Sequence, residues 1–186
     1  MSHDSALQAH EHSEHARHAA GDVFISRIAI SVAVLAVLAA VSGSLETVEG
    51  GRALNYTSEA VLEQDKATDA WAEYQADGLK KHIYGVAADG GGPNAERYRK
   101  LVQENSDKQD VIRKNARAEE AERSRLLALS AAHEERHHWL TGAATLFEIG
   151  IAMSTVAIIT RRHWLWFTAL GFGTVGIALF AAAYVV

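Results

Sequence analysis

The stretch TLFEIGIAMS, residues 145–154, sets a carboxylate inside an apolar run, and Glu148 is the only charged residue from Trp139 to Thr160. An acid in such a place could relay a proton, ring a pore, or join packed helices through hydrogen bonds. It has polar company. Glu134, His138, Thr141, Thr145, Glu148, Ala152 and Thr155 follow spacings of 4, 3, 4, 3, 4 and 3, which places them on one helix face as a polar seam. Thr174 in the last apolar segment should lie at the depth of Glu148, because the two sit twelve and ten residues from a short connecting turn. It is the expected hydrogen-bond partner.

Ten histidines form the second set with chemical potential. His10, His12, His15 and His18 cluster in the first 22 residues and offer a divalent-metal reading for that tail. His133 and His137 stand one helical turn apart, a spacing that can share a metal ion, and His133-Glu134-Glu135-Arg136-His137 matches HExxH. A hydrolytic metal centre also needs a third ligand and an enclosing pocket, and this polar segment supplies neither. We therefore expect no enzymatic activity, no catalytic residues and no resident cofactor, with metal binding by the histidines as an alternative. There is no cysteine, which removes disulfides, thiolate ligands and thiol nucleophiles.

Positioning these residues falls to three apolar segments, 23–45, 139–160 and 164–186, each near the ~20 residues that a helix needs to cross a bilayer. An acid at the middle of 139–160 makes that segment marginal by itself. The 164–186 segment carries no charge and follows after only Arg161, Arg162 and His163, so the two should insert as a pair. The expected class is an all-α integral membrane protein with three transmembrane helices and a long extramembrane, coiled-coil-like helical hairpin over 46–138.

Within 46–138 the charges are mixed, 14 Lys/Arg against 18 Asp/Glu, which argues against nucleic-acid binding. GVAADGGGPN, residues 85–94, holds a glycine triplet and the only proline and predicts a turn. Asn94 should cap the helix that follows. Val61, Ala67, Trp71, Tyr74 and Gly78 suggest an apolar stripe, with Trp71, Tyr74 and Leu101 as packing residues. The stretch RKNARAEEAERSR, 113–125, interrupts it with only alanines among charges. In 23–45, Ala29 and Ala33, then Ala36, Ala40 and Ser44, recur at spacing four, a pattern that lets helix backbones approach closely in lipid.

Arginines near the segment ends divide evenly. The short Arg161–Arg162 turn weighs most in the positive-inside rule and favours a cytoplasmic N-terminus with 46–138 outside. Trp139, Trp164 and Trp166, with the two arginines, fit interfacial anchoring.

Two stretches, EQDKATDAWAEYQADGLK (63–80) and TLFEIGIAMSTVAIITRRHWLWF (145–167), resemble the bacterial membrane family catalogued as domain of unknown function 4337. The resemblance extends over nearly the whole chain: His-rich tail, first span, charged helical segment, closing pair of spans. It implies a location in the bacterial inner membrane and no established activity. In that family the position matching Glu148 is more often an amide.

The reading that results is a self-associating membrane protein held by the lipid bilayer. It would contact further copies of itself and, through 46–138, a protein partner. A homo-oligomeric channel or transport accessory centred on Glu148 is the first alternative, and a metal-responsive envelope protein the second.

Overall fold

A computed structural model describes the backbone over residues 3–185 and the side chains over 23–185. The expected His-rich tail, residues 1–22, lies outside the described side chains. The described chain is all-helical: α1 (His3–Asp89), α2 (Ala95–Thr160) and α3 (His163–Ala182). Each helix contains a stretch long and apolar enough to cross a membrane. The chain divides into two units, Met1–Gly50 with Glu134–Val186 and Gly51–His133, and α1 and α2 contribute to both.

The first unit packs three helical segments through small residues. Ile28, Ala157 and Leu165 form one buried cluster, and Leu35, Ala143 and Phe147 another. Glycine makes the approach possible. A Cβ on Gly176 would lie 2.7 Å from the Phe147 ring, and one on Gly173 2.8 Å from Leu35 Cδ2. Both distances are below van der Waals contact, and Phe147 is fully buried, so its ring has nowhere to retreat. Ser42 and Ser154 are also fully buried, with no hydrogen-bond partner for either hydroxyl among the described residues. α3 ends at Ala182 and is followed by turns through Val185, so it is shorter than the expected segment to 186. Its 20 residues still give about 30 Å at 1.5 Å per residue.

The α2–α3 connection is very tight. Arg161 adopts φ 52°, the left-handed region that most side chains avoid. Arg162 is extended at φ −96° and ψ 113°.

In the second unit α1 and α2 pack antiparallel. Tyr84 stacks on Tyr98 with ring centroids 6.2 Å apart. Farther along, Trp71 Nε1 donates to Glu120 (2.8 Å) and Thr57 shares a 2.8 Å hydrogen bond with Ser130. The turn is shorter than 85–94. Helix α1 continues through Gly85 to Asp89, and only Gly91 (φ 71°) and Gly92 (φ 94°) take the positive φ that reverses the chain. The Asn94 carbonyl accepts from Tyr98 N–H at 3.1 Å, as an N-cap residue does.

The stripe predicted in this unit needs correction at one position: Val61 is 56% exposed, whereas Ala67 is buried and Trp71, Tyr74 and Gly78 are half-covered. Ala53, Ala60 and Ala116, which the stripe did not include, are buried as well. Among the covered positions on α1, Ala53, Tyr56, Ala60, Glu63, Ala67, Ala70, Tyr74, Asp77, Lys81, Tyr84 and Ala88 recur in steps of 3 and 4, with Trp71, Gly78, Gly85 and Ala87 beside them. The α2 positions from Tyr98 through Val102, Asn105, Gln109, Ile112, Ala116, Glu119, Arg123 and Leu126 to Ser130 keep the same rhythm. The charged stretch 113–125 therefore takes part in the packing. Alanine fills part of the seam, where a methyl group lets two backbones come close, and Glu63, Asp77, Lys81, Glu119 and Arg123 occupy covered positions between the alanines. Trp71, Tyr74 and Leu101 are half-covered.

Candidate functional site

The polar seam of α2 splits in two. Near the start of the apolar stretch Thr141 turns inward, and its Oγ1 lies 2.7 Å from Glu46 Oε1 on α1 and 2.9 Å from its own helix's His137 carbonyl. His137 Nδ1 lies 3.1 Å from the Glu46 carbonyl oxygen. Gly50 opposes that ring, and a Cβ there would sit 3.1 Å from Nδ1. Glu49, one turn on from Glu46, is buried at 6% exposure. Glu134 and His138 pair along α2 at 3.4 Å.

Beyond Thr141 the seam faces out. Thr145, Glu148, Ala152 and Thr155 are exposed. The two threonines satisfy their own helix: Thr145 Oγ1 donates to the Thr141 carbonyl at 2.8 Å and Thr155 Oγ1 to the Ile151 carbonyl at 3.0 Å. Thr174 does likewise, donating to the Gly171 carbonyl at 2.8 Å. It is therefore not the partner of Glu148. Thr174 instead lines grooves beside α3, one shared with Leu35 and Leu38 and one with Leu146. Among the described residues Glu148 makes no hydrogen bond or ion pair.

The histidine sites separate as well. His133 stacks on Tyr56 with centroids 5.4 Å apart, and His137 is engaged with Glu46. No group of three or more His, Asp or Glu side chains that could hold a metal occurs among the described residues. His10, His12, His15 and His18 lie outside them. At the other end of the first unit, Phe24 stacks on His163 at 4.0 Å, and Trp166 donates from Nε1 to Ser31 Oγ at 3.2 Å. Trp166 and Trp139 are half-buried, whereas Trp164, Arg161 and Arg162 are exposed.

Glu46 and Glu49 were absent from the sequence reading. Two signals could have revealed them. Glu49 continues the seven-residue series Ile28, Leu35, Ser42, whose members are all buried, and Glu46 lies just past the end of the first apolar segment, as Thr141 lies just inside the second.

The described chain is all-helical, with three helices long and apolar enough to cross a membrane and one unpaired acid within the apolar stretch of α2. A family model described as Domain of unknown function (DUF4337) matches residues 24–186, and the chain belongs to that family. No curated protein and no solved structure matches it.

Proposed function

We propose that the chain is a non-enzymatic, self-associating protein of the bacterial inner membrane. Its three apolar stretches anchor it, and residues 46–138 organise an assembly or bind a protein partner. One observation supports this: Glu148 is exposed at the middle of an apolar stretch, with no partner among the described residues. Eight Leu, Ile, Phe or Val residues in 139–160 favour insertion by about 2.4–4.8 kcal/mol in all, at roughly 0.3–0.6 each. A central acid opposes it by about 2.5–3.5 kcal/mol. α2 facing lipid alone is close to break-even, and covering Glu148 with another protein surface relieves the deficit.

Native mass in nanodiscs tests the reading. A multiple of the 20.1 kDa chain is expected. A single-chain mass at every protein-to-lipid ratio defeats it.

The outward stripe of Thr145, Glu148 and Thr155 also favours a second reading, a channel or transport accessory with these groups lining a path. In that case Glu148→Gln changes ion or proton flux in proteoliposomes. Unaltered flux at unaltered oligomer mass removes it.

A further inference from the structure

Two sides of the first unit differ in chemistry. α1 turns Ser31, Val34 and Leu38 toward α3 across a groove of about 240 Å³. On α2, Leu146 borders the groove with α3, and Gly142 lies against Leu179. At roughly 100° per residue, Ala36 and Ala40 point away from α3, since each is two residues from Val34 or Leu38. Ala29 and Gly43 share their side, and a Cβ on Gly43 would meet nothing within 4 Å. Glu148 is two residues from both Leu146 and Gly150, so it too points away from α3, with Ala152 beside it. Leu35 packs on Gly150 and Ile28 on Ala157, and this antiparallel register brings Glu148 level with Ala36 and Ala40. The small residues of α1 and the acid of α2 therefore share one face, outside the α1–α2 seam.

The remaining perimeter mixes sizes and carries no charge within the apolar stretches. Ile30, Val34 and Val37 on α1, and Phe167, Val175 and Ile177 on α3, are at least half exposed, beside the smaller exposed Gly171, Thr174, Ala178 and Ala181 of α3. Branched and aromatic side chains suit acyl chains, whereas small residues beside a polar group suit a second helix.

We infer that the α1–α2 face is covered by the same face of a second copy of this chain, with Glu148 opposite Glu148. This rests on the self-association proposed above and adds the face and the occupant. Copies inserted in one orientation carry Glu148 at the same depth, so a twofold axis along the bilayer normal matches it with itself. One carboxyl O–H donates to a carboxyl oxygen of the other copy. The Thr145 hydroxyl, whose hydrogen is committed to its own helix, keeps acceptor capacity nearby. An acyl chain offers no such group, and a headgroup does not reach mid-span.

The absence of cysteine gives a direct test. Single variants Ala36→Cys, Ala40→Cys and Thr145→Cys are oxidised in native membranes beside Val175→Cys and Ile177→Cys, and native mass is measured in parallel. The first three should form covalent dimers and the α3 pair should not. Glu148→Gln should preserve dimer formation, because an amide both donates and accepts. Glu148→Leu should weaken association about three- to tenfold.

Cross-links on α3, on both faces equally, or on neither at a multiple-copy mass overturn the face while leaving self-association intact. A mass of three or more chains replaces the pair by a ring and overturns the Glu148–Glu148 contact. Equal association by Glu148→Leu and wild type overturns the carboxyl pairing. A single-chain mass defeats both proposals.

Discussion

Ser130 uses one hydroxyl twice, donating to the Ala53 carbonyl at 2.9 Å and meeting Thr57 Oγ1 at 2.8 Å. Its burial makes Ser130→Ala a test of the second unit: a loss of about 1 kcal/mol is expected, visible as a lower circular-dichroism melting midpoint. Glu63 and Glu119 meet across the same seam. The hydrogen bond with Glu63 holds Glu119 above the usual glutamate range, and that bond, helped by Lys66, holds Glu63 below it. A raised acid stabilises below its unfolded value, near 4.5, and loses that contribution as pH rises through its folded value. A lowered one stabilises above 4.5 and loses it as pH falls through its folded value. The singly protonated pair is thus most favourable between the two folded values, and at neutral pH Glu119 repels Glu63. Glu119→Gln should raise the melting midpoint at neutral pH and leave it nearly unchanged around 4.5. A midpoint lowered at neutral pH would contradict this account. The unusual position of Glu148 was legible from its neighbours, but its direction was not, because a helical face read from sequence has no compass until its packing partners are known.

The elements were legible where composition changes abruptly. Three apolar stretches, the glycine turn and the cap at Asn94 all emerged from local chemistry. The seam between the antiparallel segments emerged only in part: Ala67, Trp71, Tyr74 and Gly78 are covered, but Ala53, Ala60 and Ala116 were missed because alanine among charges gives little hydropathy contrast. Val61 was conspicuous and faces out. Ala67 and Ala116, both fully buried, should each resist enlargement: →Leu at either is expected to cost about 1–3 kcal/mol, whereas Val61→Ala should change thermal stability by less than about 0.5 kcal/mol. In the first unit Gly176 holds α3 against Phe147. Gly176→Val forces these apart, and a lower yield of folded protein by size-exclusion profile is expected. Recovery by the added substitution Phe147→Ala would identify the contact as the cause.

For the molecule as a whole, hydropathy located the membrane-type helices, and the family membership accords with the resemblance of residues 63–80 and 145–167. Orientation is a whole-chain property. With a cytoplasmic N-terminus, phosphatase fusions after residue 92 should be active and fusions after residue 162 inactive; the reverse pattern would invert the topology. The alanine seam carries a last implication. Ala53, Ala60 and Ala67 repeat every seven residues, so sliding one segment by a heptad, about 10 Å, presents methyl groups to its neighbour once more. Fixed alignment then depends on a few detents: Thr57 with Ser130, the Gln109 amide on the Tyr74 carbonyl, Tyr84 on Tyr98, and the short tether at Gly91 and Gly92. Lengthening that tether would leave the setting to those side-chain detents alone, a clasp loosened at one end.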